Sequence, residues 1–246
     1  MAGRPTVDEV SAPYANFMRT PAPAGPDICS VCRTFTDGYP TCYRCAHQPD
    51  HLDVVVPITY APSTQQMHTA LRKYKDSPDA QVRTRFSRDL LAVFWRFIRW
   101  HERCLVEQAG LPAFDIVTTV PSKTTTRDDA RDRLRAIVGQ HAQPTSERYR
   151  RVLRPADSAV DERRFDAGRY RAPQRIDGSA VLLVGDTWTT GSSAQSAAAA
   201  LREAGAEAVA LVVIGRYINL DYSDHRQRLE KLPRGFEWDT CAVHRA

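Results

Sequence analysis

The feature of this sequence that most restricts its fold is an apolar stretch that runs into a hydroxyl-rich turn and then into an alanine-rich stretch. Residues 181–184 have the composition of a buried strand, and residues 193–204 predict a helix. A helix that starts directly after a strand presents unpaired backbone N–H groups at its N-terminus, and its dipole favours negative charge there. The sequence therefore predicts an anion-binding turn at the carboxyl end of a strand.

The turn carries four hydroxyl side chains, a glycine and a carboxylate. The hydroxyls, which can donate to phosphate oxygens, belong to Thr189, Thr190, Ser192 and Ser193. Gly191 permits a positive φ angle and a close approach to a ligand, while Asp186 could bind sugar hydroxyls or a hydrated cation. Helix capping is the alternative explanation, but one cap needs only one hydroxyl. The turn has neither the Gly-Lys-Ser/Thr ending of a Walker loop nor the spaced glycines of a dinucleotide fingerprint.

Four of the six cysteines form the pattern C-x2-C-x9-C-x2-C. The two pairs are Cys29 with Cys32 and Cys42 with Cys45. Each pair can fold as a tight knuckle that places two thiolates on one ion, and two knuckles complete a tetrahedral zinc site. Because four thiolates leave no open coordination position, we expect the zinc to be structural. A redox dithiol, an iron–sulfur centre and unrelated free cysteines are the alternatives.

The other two cysteines have weaker signals. Cys104 lies in an apolar helical stretch and is expected to be a core residue. Cys241 and His244 form a Cys-x2-His pair near the C-terminus. This pair is either an ordinary tail or, if the tail folds back, a source of ligands for a second site or for the first.

Strand and helix patterns alternate along the rest of the chain. Strands are predicted at residues 52–58, 115–120, 151–153, 180–184 and 208–214, and helices at 64–74, 80–109, 128–140 and 193–204. Such alternation predicts an α/β fold with a mostly parallel sheet flanked by helices and a small N-terminal zinc-binding knuckle. Ligands bind at the carboxyl ends of the strands in sheets of this kind, which is where the turn lies.

Composition divides the chain into four predicted segments. They are a Pro/Ala-rich segment (1–27), the zinc knuckle (28–50), the α/β domain (51–220) and a C-terminal tail (221–246). Residues 154–177 are polar and predict a mobile loop or hood over the site. We expect a cytoplasmic protein that does not contact a membrane, since no signal core or spanning stretch is evident. The net charge of +5 suits anionic substrates and nucleic acid equally, and the arginines of the long helix 80–109 are expected to form a solvated face.

Several motifs carry a family resemblance. Residues 181–193 resemble the phosphoribosyl pyrophosphate signature of type I phosphoribosyltransferases, with Gly185 at the first of its two acidic positions. Residues 71–76 (Leu-Arg-Lys-Tyr-Lys-Asp) and 115–121 (Asp-Ile-Val-Thr-Thr-Val-Pro) are similar to two segments of the ComF-like family, which joins a zinc ribbon to that fold. Residues 127–131 and 161–166 also align with family segments but differ at individual positions.

The resemblance implies a magnesium-dependent transfer of a phosphoribosyl group to a nitrogen acceptor, with Asp186 as the catalytic residue. Binding of phosphoribosyl pyrophosphate would fall to Gly185, Asp186, Thr187, Thr189, Thr190, Gly191, Ser192 and Ser193, with Arg72, Lys73 and Lys75 on the pyrophosphate. Arg163 or Arg164 would close over it. The alternative is a non-catalytic binding or regulatory protein that acts in DNA uptake or processing, with DNA or a DNA-processing protein as its partner. Self-association is left open by the sequence.

Overall fold

The computed structural model describes residues 5–122, 133–156, 158–161 and 163–243, which form an α/β fold around a parallel sheet. In chain order the described elements are α1 (Val7–Ser11), a 3-10 turn (Ala12–Asn16), α2 (Tyr43–Ala46), β1 (Val54–Pro62), α3 (Gln66–Asp76), α4 (Ala80–Gln108), β2 (Ile116–Thr119), α5 (Arg133–Ala136), a π-helical turn (Ile137–His141), α6 (Gln143–Ser146), β3 (Arg154–Pro155), a second 3-10 turn (Ala167–Arg169), β4 (Tyr170–Arg171), β5 (Ala180–Trp188), α7 (Ser192–Glu203), β6 (Ala208–Ile218) and α8 (His225–Lys231). Residues 127–132, which belong to the predicted helix at 128–140 and to one family segment, lie outside the described residues.

The sheet has four parallel strands in the order β1-β6-β5-β2. Strand β5 is central, with β6 on one side and β2 on the other, so its carboxyl end is flanked by two strand ends. This arrangement confirms the predicted α/β class and its mostly parallel sheet. A two-stranded antiparallel pair, β3 with β4, lies in the segment that we predicted as a loop or hood.

The two faces of the sheet are covered by different layers because side chains alternate along each strand. On β5, Leu182 and Val184 pack with the core on the side of α3 and α4, whereas Val181 and Leu183 pack on the side of α7. Helix α4 begins after Asp79, whose carboxylate accepts hydrogen bonds from the first turn of the helix. Nine residues of α4, most of them apolar, are buried.

Strands β5, β6 and β1 extend further than their composition predicts. Residues 185–188 continue β5 because they pair with β6 in register, Thr187 with Gly215 and Trp188 with Arg216. Strand β1 continues through Pro57, which was expected to end it, because β1 lies at the edge of the sheet, where a missing N–H is tolerated. The polar residues Asp186 and Thr187 are therefore held by a strand and are not part of a loop.

Both edges of the sheet are covered by other backbone. Beside β1, the N–H of Tyr60 donates to the carbonyl of Arg19 over 3.0 Å. Beside β2, Val117 donates to Arg148 and accepts from Arg150. Each outer strand is therefore bonded to neighbouring backbone at these positions.

The predicted N-terminal and C-terminal segments both pack on α4. Asp8 in α1 forms ion pairs with Arg96 and Arg99, and Met18 is fully buried. In the tail, Phe236 and Ala242 are buried in the same core cluster. In the part of the chain that the structure describes, no helix is both long and apolar enough to cross a membrane.

Candidate functional site

The site is built where β5 passes into α7. The strand ends at Trp188, and Gly191 is the N-cap of α7 with a φ of +86°. A Cβ atom at position 191 would lie 2.3 Å from the indole ring of Trp188. Only glycine therefore fits here, because both the left-handed backbone and the indole ring exclude a side chain. We call residues 189–193 the hydroxyl turn.

The N-terminus of α7 has no side-chain cap. The hydroxyls of Thr190 and Ser192 lie 2.9 Å apart and hydrogen-bond to each other. The carbonyl of Thr190 accepts a hydrogen bond of 2.7 Å from the side chain of Gln48. The N–H of Ser192 donates to the hydroxyl of Thr190 over 3.4 Å. Gly191 and Ser193 flank it at the start of α7, where the helix dipole favours an anion.

Asp186, at the carboxyl end of β5, is held by two residues of α3. Its carboxylate accepts a hydrogen bond of 2.7 Å from the hydroxyl of Tyr74 and forms an ion pair of 2.5 Å with Lys75. Burial by itself would raise the pKa of Asp186, but the charge of Lys75 and the hydrogen bonds from Lys75 and Tyr74 outweigh it and lower the pKa. Asp186 is therefore a carboxylate at neutral pH.

A cavity of about 560 Å³ opens above these groups. Its lining includes every residue from Gly185 to Ala194, so the structure brings all eight predicted residues of β5 and the hydroxyl turn together. Lys75 and Arg163 also line it, whereas Arg72 and Lys73 are exposed on α3 and do not. Lining residues that the sequence did not single out for the site include Tyr74, Arg135 and Tyr170.

Gly185 faces the α7 side of β5, where space is restricted. A Cβ atom at this position would lie 3.1 Å from a methyl group of Val213 and 3.8 Å from one of Val120. A side chain at 185 would therefore require the neighbouring strand residues to shift. Tight packing therefore accompanies glycine at the position where the family signature has its first acidic residue.

The four cysteines of the knuckle (residues 28–50) lie together on the α7 side of the sheet. The sulfur atoms of Cys29, Cys32, Cys42 and Cys45 are all within 4.8 Å of one another. The sulfurs of Cys32 and Cys42 are 3.8 Å apart, which matches the roughly 3.8 Å between two thiolates on a tetrahedral zinc ion. The cluster could bind a zinc ion, as the spacing predicts.

The buried guanidinium of Arg216 on β6 connects the knuckle to the hydroxyl turn. It donates to the carbonyl and sulfur of Cys32 over 3.0 and 3.4 Å, and to the carbonyl of Trp188 over 3.2 Å. Gln48 makes a second connection from the end of the knuckle to Thr190. The cysteine cluster therefore supports the backbone on which the turn is built.

Asp186→Asn should make the free energy of unfolding less dependent on pH in the acidic range. Because the folded-state pKa of Asp186 lies below its usual value of 3.8, the carboxylate stabilises the fold fully above that pH. This contribution is lost as the pH falls through the folded-state pKa. Urea unfolding of both proteins should give a difference in unfolding free energy at pH 7 that shrinks at pH 3, and a difference that stays constant would contradict the ion pair.

Scanned against protein-family models, curated proteins and solved structures, the chain matches none. Functional inference therefore depends on the motifs of the sequence and on the geometry of this site.

Proposed function

We propose that this protein binds phosphoribosyl pyrophosphate at the hydroxyl turn and is a ComF-like phosphoribosyltransferase acting on a nitrogen acceptor. The observation that carries the proposal is the uncapped N-terminus of α7, which opens onto the same cavity as Asp186. A helix N-terminus suits a phosphate group, and a carboxylate suits the hydroxyls of an adjacent ribose. One phosphorylated sugar would satisfy both.

In this proposal the 5′-phosphate lies at the start of α7. The N–H groups of Gly191 and Ser193 donate to its oxygens, and the hydroxyls of Thr189 and Thr190 add further donors. Asp186 accepts from the ribose hydroxyls, in exchange for or beside its bond from Tyr74. These contacts position the sugar so that its C1 atom faces the cavity.

The reaction needs electrostatic stabilisation more than covalent chemistry. The C1–O bond breaks with its electron pair leaving on pyrophosphate, while the lone pair of the acceptor nitrogen forms the new bond and a nitrogen proton is released. Lys75, Arg135 and Arg163 line the cavity and would stabilise the negative charge of pyrophosphate. The carboxylate of Asp186 favours the positive charge that develops on the sugar.

Magnesium enters the proposal through the pyrophosphate. Mg²⁺ usually keeps several waters and binds one or two carboxylates together with substrate phosphates. Asp186 and Asp76 are the carboxylates in the described lining of the cavity. They fit an ion that arrives with the substrate, and when bound the ion would neutralise the leaving pyrophosphate.

A non-catalytic binding protein is the second candidate, and two observations favour it. The strand position at Gly185 is crowded by Val213, and Asp186 is already paired with Lys75. A protein that only senses a phosphorylated ribose can do without the first acidic residue. In this case the ligand would regulate contact with DNA or with a DNA-processing protein.

Calorimetry with phosphoribosyl pyrophosphate and Mg²⁺ tests both candidates. We expect the native protein to bind and Asp186→Asn to bind more weakly, since the ribose contact is lost. Ribose 5-phosphate should compete for the site. Release of pyrophosphate with a panel of bases and amines would support transfer, binding without release would support the sensor, and no binding would contradict both.

Lys75→Met should weaken binding of phosphoribosyl pyrophosphate by about 10-fold or more, because one charge-assisted hydrogen bond contributes about 1.5 to 3 kcal/mol. Lys73→Met is the matched control, since Lys73 lies on the same helix but outside the cavity lining. Its affinity should stay within about 2-fold of the native value. Equal losses in the two variants, measured by calorimetry, would contradict the assignment of Lys75 to the site.

The knuckle has a structural role in this proposal. Four thiolates would saturate a zinc ion and leave no position for a substrate. The knuckle would contribute to the binding of phosphoribosyl pyrophosphate only indirectly, through the contacts of Arg216 and Gln48 with the backbone of residues 188 and 190.

A further inference from the structure

A second group of metal-ligating side chains lies on the α4 side of the sheet. His101 and Cys104 are three residues apart on α4 and share one face of the helix. Cys241 reaches them from the C-terminal tail, and one ligand atom from each of the three residues lies within 4.8 Å of the others. Together with the knuckle, this group accounts for all six cysteines of the chain.

The imidazole of His101 is oriented as a metal ligand. Its Nε2 atom lies 2.8 Å from the carbonyl oxygen of Trp238, which can only accept, so Nε2 carries the proton. In this tautomer Nδ1 is the atom that can coordinate a metal, and it lies 3.7 Å from the sulfur of Cys104. Ligands of one zinc ion place nitrogen and sulfur about 3.6 Å apart, and metal-bound histidines usually donate their other N–H to a carbonyl or carboxylate.

The surroundings of the group favour a metal over a simple hydrogen bond. His101 is 1% exposed and Cys241 is 7% exposed. A thiol–imidazole hydrogen bond would explain the contact of Cys104 with His101. Cys241, brought to the same point by the packing of the tail on α4, adds a second thiol to the group.

We propose that His101, Cys104 and Cys241 bind a second zinc ion, which attaches the C-terminal tail to α4. Both thiols would release their protons to solvent when the ion binds. The fourth position would be taken by solvent. The tail is already in place for this role, because the guanidinium of Arg96 stacks 4.3 Å from the ring of Trp238.

Metal analysis of the full chain, purified under reducing conditions, tests the proposal. The native protein should contain two equivalents of zinc. Cys104→Ser combined with Cys241→Ser should retain one equivalent, and so should Cys42→Ser combined with Cys45→Ser. With Co²⁺ in place of zinc, the two double variants should give different spectra, because one site has four sulfur ligands and the other has two sulfurs and a nitrogen.

A single-residue comparison covers the case in which the cysteine variants fail to fold. His101→Gln keeps a donor for the Trp238 carbonyl but removes the ring nitrogen, so it should retain one equivalent of zinc. The exposed His141→Gln is the control and should retain two. One equivalent in the native protein, two equivalents in folded His101→Gln, or a disulfide between Cys104 and Cys241 in mass spectra of the non-reduced protein would overturn the proposal.

Discussion

Gly191→Ala should reduce the affinity for phosphoribosyl pyrophosphate by at least about 100-fold, which corresponds to losing two charge-assisted hydrogen bonds of about 1.5 kcal/mol each. The φ of +86° is unfavourable for alanine, and its Cβ would lie 2.3 Å from Trp188. Either the indole ring or the backbone at the start of α7 must move, and both displace the N–H groups from the phosphate. Calorimetry with phosphoribosyl pyrophosphate and with ribose 5-phosphate measures the loss.

Gly178→Ala is the control that separates a general loss of stability, caused by alanine at a positive φ, from a local displacement of the N–H groups at the start of α7. Gly178 has a φ of +69°, but a Cβ there has no neighbour within 4 Å. It precedes β5 and so lies at the opposite end of that strand from the hydroxyl turn. This variant should lose about 1 to 2 kcal/mol of stability from the backbone strain and keep its affinity. If it binds as weakly as Gly191→Ala, the effect is a general loss of stability and not a local one.

Cys32→Ser should have the largest effect on stability, with a fall in Tm of about 10 °C. The binding free energy of a structural zinc ion is also folding free energy, so a loss of about 4 kcal/mol is a modest expectation, and each kcal/mol lowers Tm by about 2 to 4 °C in a chain of this size. Cys32 is buried against the core and accepts two hydrogen bonds from Arg216. Thermal unfolding followed by circular dichroism, with zinc content measured in parallel, gives the comparison.

The same variant should also weaken binding of phosphoribosyl pyrophosphate. If the knuckle loosens, Arg216 and Gln48 no longer hold the carbonyls of Trp188 and Thr190 in place. Ser30→Ala is the control, because Ser30 is an exposed knuckle residue that is not a ligand. It should retain zinc, Tm and affinity. A Cys32→Ser protein that binds the ligand normally below its Tm would show that the knuckle and the turn are independent.

Much of the fold follows from composition. The apolar strand runs, which alternate with helical segments, predict a parallel sheet with crossovers, because burial on both faces selects such residues. The ends of β5 and β6 cannot be predicted from composition. Gly185, Asp186 and Gly215 have low strand propensity, and pairing with distant residues holds them in the strands. The short helix α1 was not predicted in the Pro/Ala-rich N-terminus. Its capping box, formed by Thr6 and Glu9, is a pattern that can be recognised in the sequence.

The site could be predicted where its residues are contiguous. The hydroxyl turn and the cysteine spacing are local patterns, so the sequence locates them. Tyr74 and Lys75 contact Asp186 although more than 100 residues separate them in the sequence. No periodicity or spacing in the sequence predicts such a contact. The role of Arg216 could not be predicted either, because it lies just beyond the predicted strand at 208–214 and nothing in the sequence indicates that the carbonyls of Cys32 and Trp188 surround it.

The covered edges of the sheet bear on how copies of this chain could associate. Exposed strand edges are the usual route by which sheets join between molecules. Here the backbone of Arg19 is bonded to β1 at Tyr60 and the backbone at 148–150 is bonded to β2 at Val117, so each outer strand already has a backbone partner at that point. An added strand would have to displace these contacts, whereas a dimer built through side chains on the helical layers would leave them intact. Surface substitutions could then disrupt the dimer without disturbing the sheet.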